Sequence, residues 1–524
     1  MIVLSPAEMR EIDRQAIEDG IPDILLMEMA GRGSAELADK LLQYNGSGRK
    51  VLIFAGSGNN GGDGLVVARF LDMWGYAVKV IMLKEESSLK GNSLLNFNIC
   101  KNRENIEIVP VNTLNKKEIV NYCNSSNLII DAILGTGLKG KVRGIISEII
   151  DIINKSSTEV LAVDIPTGIN ASNGKVPGKA ITAKNTATMA FPKLGMLLYP
   201  GHNYMGEIKI IDLGMPKISI NKVKYNHYTL TADEAEALLP KRKIDGHKGT
   251  FGKINVIGGS TGMTGAPALT GFSALKMGAG LVKIYLPEEI RALTASYYPE
   301  LITATINYEK LDELTDNIDV LVLGPGLGQS KKAKKIVDKL LLDSKKPMII
   351  DADGINLISD LDLLKNNKFP ILLTPHPGEM ARLIDSSIKE IQDKSIEIAR
   401  EFSQKYNVYL ILKGATTIVS LPDGRIYLNL TGNDGLATAG SGDVLTGIVA
   451  GIMAQGLSVE ETAILAPYIH GLAGDIASDD INSYSITASD IINYLPVAIK
   501  QLIERKGILN VKSKGFDVKK RYYS

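Results

Sequence analysis

Short apolar runs that do not alternate with polar residues recur along the whole of this chain. Val51–Ala55, Ala77–Leu83, Leu128–Ile130, Val160–Val163 and Ile208–Ile211 lie in its first part. Ile254–Ile257, Leu281–Leu286, Val320–Leu323, Met348–Ile350, Ile371–Leu373 and Tyr409–Leu412 lie in its second. An alternating strand buries one face, whereas a strand apolar throughout must be covered on both. Helical patterns separate the runs, so the sequence predicts α/β architecture with mostly parallel sheets between helix layers. Thr417–Leu421 and Arg425–Leu430, joined by Pro422-Asp423-Gly424, read as a hairpin.

At 524 residues the chain exceeds one ordinary domain. The first unit is expected to span residues 1–216, ending at Met215-Pro216, with a polar, lysine-rich linker over 217–229. Thr231-Ala232-Asp233-Glu234 starts a helix and opens a second unit, 230–510, followed by a basic tail, 511–524. Near the beginning, Ser5-Pro6-Ala7-Glu8 is a helix start, and the helix is expected to run to Glu18. Further helices are expected over Leu25–Leu42 and Asp63–Trp74.

The 59 basic and 58 acidic side chains nearly cancel, which excludes a dominant polybasic surface and argues against a nucleic-acid partner. Cys100 and Cys123 form neither a disulfide framework nor a metal-ligand cluster. The first residues lack a signal-peptide profile. Val444–Gly474 is apolar but interrupted by Gln455, Glu460 and Glu461, which fits buried helices better than a membrane span. A cytoplasmic protein without membrane contact is the expectation.

Two glycine-rich, acid-containing loops carry the chemistry. Gly56-Ser57-Gly58-Asn59-Asn60-Gly61-Gly62-Asp63 follows the first apolar run, in the context of a phosphate or dinucleotide loop, but Asn59, Asn60 and Asp63 add polar groups that a simple pyrophosphate cradle does not need. Asp131 leads into Gly135-Thr136-Gly137-Leu138-Lys139-Gly140, and Asp164 leads into Ile165-Pro166-Thr167-Gly168. In a parallel sheet these acids gather beyond the carboxyl ends of strands, where ligands bind. Oxygen ligands without histidine or cysteine favour a hard cation.

The second loop is Thr438-Ala439-Gly440-Ser441-Gly442-Asp443. Small residues admit close backbone approach, and the helix that follows presents N–H groups to a phosphoryl group. Asp443 stands where a general base would activate a hydroxyl for phosphorylation. Lys413-Gly414-Ala415-Thr416-Thr417 is a candidate cradle for nucleotide phosphates. The loops at Gly258-Gly259-Ser260, Thr264–Ala268, Gly324–Gly328 and Thr374–Glu379 end strands facing the same cleft, and His376 reads as a substrate contact.

Taken together, Asn59–Gly64, Asp131-Ala132-Ile133 with Gly135–Lys139, and Asp164–Gly168 make residues 1–216 resemble the epimerase domain of NAD(P)H-hydrate repair enzymes. Residues 230–510 resemble the ADP- or ATP-dependent dehydratase of the same hydrates, a branch of the ribokinase-like superfamily. The resemblance implies a Rossmann-like three-layer αβα unit followed by a ribokinase-like α/β unit. It implies potassium near Asn60, Asp131 and Thr167. Epimerase substrate would lie against Asn59, Asn60, Gly61, Gly62, Asp63, Gly135, Thr136, Gly137, Leu138, Lys139, Gly140, Lys141 and Asp164, with Asp131 and Lys139 as candidates for proton transfer. In the dehydratase it implies hydrate contacts at Ala266, Gly326, His376 and Asp443. Nucleotide contacts are implied at Lys413, Gly414, Ala415, Thr416, Thr417 and Gly442, with magnesium on the phosphates. Hydrated NADH and NADPH are the implied substrates, ADP or ATP the co-substrate, and a homo-oligomer the implied assembly. Two other readings stay open at this level: a small-molecule kinase fused to a dinucleotide-binding module, and a cofactor sensor without turnover.

Overall fold

The computed structural model describes residues 1–44, 46, 48–138 and 140–504, so the expected basic tail over 511–524 lies outside the described residues. The chain forms two compact units that divide between Tyr225 and Asn226. Inside the stretch expected to be a linker, Lys217–Asn221 is helical and His227–Thr229 is a strand.

In the first unit the strands are β1 (Lys50–Ala55), β2 (Ala77–Met82), β3 (Ile106–Pro110), β4 (Leu128–Ala132), β5 (Val160–Val163), β6 (Asn185–Met189) and β7 (Glu207–Ile211). They form a seven-stranded sheet in the order β3-β2-β1-β4-β5-β6-β7, and every pair is parallel. The unbroken apolar runs are explained by burial on both faces. Val51, Ile53 and Ala55 join one core with residues of α1 (Pro6–Glu18), α2 (Asp23–Tyr44) and α3 (Asn59–Met73). Leu52 and Phe54 point the other way, into a core closed by Ile119, Ile149, Ile150, Ile152 and Ile153. The first helix starts as expected: Ser5 accepts from the Glu8 amide while Glu8 returns the bond, a reciprocal cap.

Among the boundaries that differ from the sequence reading, two shape the site. α3 begins at Asn59 rather than Asp63, so the glycine-rich loop is itself the first turn of a helix. Gly61 makes this possible, because a Cβ there would lie 1.9 Å from the Gly56 carbonyl oxygen. β4 runs through Asp131 to Ala132, placing that carboxylate inside the sheet. β6, sequence Asn-Thr-Ala-Thr-Met, escaped the apolar criterion because its buried threonines are polar.

The second unit contains β8 (His227–Thr229), β9 (Lys253–Ile257), β10 (Leu281–Leu286), β11 (Ile302–Thr305), β12 (Val320–Leu323), β13 (Met348–Ile350), β14 (Ile371–Leu373), β15 (Tyr409–Leu412), β16 (Thr417–Ser420) and β17 (Ile426–Asn429). Their order is β8-β17-β16-β15-β14-β13-β12-β9-β10-β11. β9 to β15 pair in parallel, while β15-β16-β17 is an antiparallel meander that contains the expected hairpin, β16-β17. One face is covered by α4 (Gly265–Lys276), α6 (Ser441–Ala454), α7 (Val459–Ile481) and α8 (Ala488–Ile503), whose apolar residues join the sheet in one core. A further helix, α5 (Pro377–Leu383), follows β14. No described helix is long and apolar enough to cross a membrane. Both cysteines are buried, which pushes each thiol up to about 12.

The helix that carries Asp443 sits against α4 at Gly447. A Cβ there would lie 1.9 Å from Ser273 Oγ and 2.2 Å from the Thr270 carbonyl oxygen. Gly447→Val should therefore push α6 off α4 and cost about 2–3 kcal/mol by overpacking. Thermal denaturation checks this: the second unit should melt earlier while the first unit's transition is unchanged.

Candidate active sites

In the first unit the site is built at the carboxyl ends of β1, β4 and β5. Asn59, Asn60, Gly61, Gly62 and Asp63 form the opening turn of α3 behind Gly58, its extended N-cap residue. Gly56 lies so close to the chain after β4 that a Cβ would stand 2.1 Å from the Ile133 carbonyl oxygen. Gly135 lies against Asn60, a Cβ there meeting the Asn60 side chain at 3.3–3.4 Å. Thr136, Gly137, Leu138, Gly140 and Lys141 continue this irregular segment, and Lys139 lies outside the described residues.

Asp131 is fully buried, and its carboxylate is well provided with donors. Oδ1 accepts from the Ile133 amide (3.2 Å) and the Thr167 hydroxyl (2.8 Å), and Oδ2 from the Thr167 amide (2.7 Å). Burial nevertheless outweighs these bonds and pushes its pKa up to about 6. Three donors on one carboxylate make it a strut between β4 and the Thr167 loop, a poor arrangement for passing protons. The Asn60 amide, packed against Gly135, is buried with neither Oδ1 nor Nδ2 hydrogen-bonded. An orphaned acceptor of this kind, together with a buried carboxylate and a hydroxyl, fits a hard cation such as potassium.

Asp164 follows β5 with a left-handed backbone (φ 66°), a costly conformation for a non-glycine residue. Its carboxylate is ion-paired with Lys193, a lysine only 1% exposed. The Lys193 ammonium also donates to Thr188 Oγ1 and to the Met189 carbonyl, both at 3.0 Å. Sequence reading missed Lys193, because it follows the polar strand β6. Asp63 is raised well above the usual carboxylate range by burial and by Asp164, with Lys193 opposing. Asp13, on α1, is pushed up to about 6 by burial, again with Lys193 opposing and Asp164 adding to the rise.

The second site gathers at the N-terminus of α6, behind Gly440 (φ 86°). Asp443 lies in the first turn, its carbonyl accepting from Thr270 Oγ1 at 3.0 Å. A Cβ on Gly442 would stand 3.2 Å from Lys413 Nζ, so the loop after β15 and the helix opening meet there. Lys413 donates to Asp351 Oδ1 (3.0 Å), and Glu379 Oε2 stands 3.9 Å away. Asp351 Oδ2 accepts from Thr446 Oγ1 (2.7 Å), tying β13 to α6. Burial acts to lower the Lys413 pKa, but the carboxylates of Asp351, Glu379 and Asp443 outweigh it and raise the value. Asp443 is pushed up to about 7 by burial, then by Asp351 and Glu379, with Lys413 opposing.

His376 caps α5: its Nδ1 accepts from the amides of Gly378 (2.9 Å) and Glu379 (3.3 Å). With Nδ1 committed as acceptor, Nε2 is left to carry the ring's proton. Burial lowers the ring's pKa. Gly326 (φ 62°) accepts from Ser260 Oγ at 2.9 Å, and a Cβ on it would crowd Met263 and Ala266, so Ala266 and Gly326 share one wall. Gly414, Ala415 and Thr416 form the turn into β16, where Thr417 Oγ1 lies 3.4 Å from the Gly414 carbonyl oxygen. Asp351 was legible in principle, since it ends a strand as Asp131 and Asp164 do. His470, whose Nε2 lies 3.2 Å from Ser441 Oγ, comes from the middle of α7 with no local signal.

The model of the family described as NAD(P)H-hydrate dehydratase matches residues 254–497, and that described as YjeF-related protein N-terminus matches 24–195. A bifunctional NAD(P)H-hydrate repair enzyme of Moorella thermoacetica is 38% identical over 517 residues, 96% of this chain and 98% of its own. One of Escherichia coli is 34% identical over 454 residues, 85% and 84% of the two chains. The solved ADP/ATP-dependent NAD(P)H-hydrate dehydratase of Bacillus subtilis, co-crystallised with ATP/Mg2+, is 30% identical with a TM-score of 0.49. It covers 52% of this chain and 98% of its own.

A carboxyl-selective NMR titration checks the electrostatics of the second site. Asp443 should titrate near 7, protonated below and charged above, and Glu379→Gln should lower that midpoint by removing one of the charges that raises it.

Proposed function

On the premise that the chain belongs to the bifunctional NAD(P)H-hydrate repair enzymes, we propose how its two sites divide the repair of hydrated nicotinamide cofactors. The family joins an epimerase, which interconverts the R and S forms at C6, to a dehydratase, which returns the S form to NADH or NADPH with ADP or ATP. The observation that carries the assignment of the second site is Asp443 at the opening of α6, beside Lys413 and the small residues Gly440 and Gly442. A base, a cation and a ring of backbone N–H groups are what phosphoryl transfer to a hydroxyl requires.

In this reading the nucleotide enters as its magnesium complex, its phosphates against Lys413–Thr417 and Gly442. The hydrate rests against Ala266, Gly326 and His376. Asp443 takes the proton of the C6 hydroxyl as its oxygen attacks the terminal phosphoryl group. Phosphate then leaves, expelled by the adjacent ring nitrogen, and loss of a proton restores the reduced ring. ADP gives AMP, and ATP gives ADP. The net reaction is elimination of water, so a kinase scaffold performs lyase chemistry.

In the first unit, Asn59–Asp63, Gly135–Lys141 and Asp164 would hold the hydrate. Potassium would be held by Asn60, Asp131 and Thr167, where it would offset the buried carboxylate and order the opening turn of α3. Asp131 then serves as a strut and cation partner, and Lys139 remains a candidate for proton transfer. A homo-oligomer in the cytoplasm is the setting proposed for these reactions.

Three measurements test the reading. Supplied with mixed R and S hydrates, potassium, magnesium and ADP or ATP, the enzyme should recover all of the reduced-cofactor absorbance at 340 nm. Recovery that stops at the S fraction would refute the epimerase half. Asp443→Asn should lower dehydratase kcat by ~10³-fold, while epimerisation proceeds at the wild-type rate; undiminished dehydration rules out the assigned base. Replacing potassium by an organic cation should slow epimerisation and leave dehydration of pure S hydrate unaffected.

A further inference from the structure

The epimerase cluster contains more acid–base chemistry than substrate holding requires. Lys193 is buried among the Asp164 carboxylate, Thr188 Oγ1 and the Met189 carbonyl, so three acceptors fix all three ammonium protons. Asp164 is thereby tied in a strained backbone position at the end of β5. Asp63 lies in the first turn of α3, which packs against β5, the strand that Asp164 follows, and both Asp63 and Asp13 of α1 feel the ion pair electrostatically. Four titratable groups from four parts of the chain are thus electrostatically coupled, and only one of them is a cation. The arrangement is asymmetric: one carboxylate is charge-paired, while burial drives its neighbours towards their neutral forms.

We propose that Asp63 and Asp164 are the proton donor and proton acceptor of the epimerase, with Lys193 the positioning residue that holds Asp164 as an anion in the cleft. This rests on the epimerase reading above and names the groups that act within it. The hydrate carries nitrogen and hydroxyl on one carbon. As the ring nitrogen's lone pair forms a C6–N double bond, the C6–O bond breaks, and the oxygen leaves as water carrying the Asp63 proton. Water then adds to the opposite face, the electron pair returns to nitrogen, and the water's proton passes to Asp164. One proton has moved from Asp63 to Asp164 and nothing else is consumed. The opposite epimer is processed from the opposite protonation state. Asp13 adds negative charge to the cluster and forms no bond in the step.

The test uses the full-length enzyme with purified R hydrate, potassium and no nucleotide, following the epimer ratio by chromatography. Dehydration of S hydrate, measured separately, reports whether the rest of the chain is intact. Lys193→Met is expected to lower epimerase kcat by about 100-fold at neutral pH with little change in KM. It should also displace the kcat–pH profile upward, because the cation that opposes the rise of Asp63 and Asp13 is gone. Asp63→Asn should lower kcat comparably without that displacement. In Asp164→Asn, adding Lys193→Met should cost little more, since the group that Lys193 serves is already gone. An unmoved pH profile in Lys193→Met, or full additivity of Lys193→Met and Asp164→Asn, overturns the proposal. If Lys193→Met does not fold, Asp63→Asn decides, and undiminished turnover there overturns it equally. A wild-type enzyme inert towards both epimers would instead sink the epimerase reading itself, so the two failures are distinguishable.

Discussion

In each unit a lysine paired with a carboxylate, Lys193 buried and Lys413 partly so, organises the ends of the strands. Lys413 is pinned by Asp351 with Glu379 close by, and Lys193 by Asp164 with a hydroxyl and a carbonyl completing its shell. Burying a charge without partners is costly, so such a lysine dictates where its neighbours stand. Asp351 also receives the Thr446 hydroxyl, which ties the end of β13 to the helix carrying Asp443. Asp164 gives up a relaxed backbone to reach its partner. Removing one member of such a pair typically costs 3–5 kcal/mol, because the other is stranded. The catalytic loops therefore inherit their shape from buried charge pairing as much as from their glycines.

The same pairing sets the protonation states. A carboxylate in contact with a buried cation stays charged, and carboxylates one layer further out feel desolvation and mutual repulsion. Asp443, pushed up to about 7, is of the second kind. A base whose pKa lies near the working pH combines useful basicity with a substantial deprotonated fraction. Asp443 is thus tuned by residues that need touch neither substrate.

Much of this was legible before the fold. Runs such as Val320–Leu323 and Ile371–Leu373 became buried parallel strands with unchanged boundaries, because burial on both faces leaves no polar position to blur the signal. The Gly440–Asp443 helix opening was legible for a related reason: small residues before a long apolar helix admit few other structures. Lys193 and Asp351 were harder to find. A lysine after Phe191-Pro192 looks solvated in sequence, and only the sheet order, with β6 beside β5, brings it under Asp164. The start of α3 was misplaced because glycines argue against helix by propensity, whereas Gly61 is there to let the helix approach Gly56. In both cases a tertiary contact overrode the local signal.

Both reactions begin from the same chemical difficulty, a hydroxyl that must leave a carbon already bearing nitrogen. The nitrogen lone pair supplies the push, so the enzyme must supply only a better leaving group. In the first unit protonation is sufficient, because water can return and the epimers need only exchange. That asks for a paired acid and base, the role proposed for Asp63 and Asp164 beside Lys193. In the second unit return must be prevented, since NADH or NADPH is the desired end. Phosphorylation does this by coupling departure to cleavage of a phosphoanhydride, and a ribokinase-like fold already presents the anion-binding helix that phosphoryl transfer needs. The two folds are thus matched to reversibility: an acid–base cleft where the reaction should run both ways, and a phosphoryl-transfer site where it should run one way.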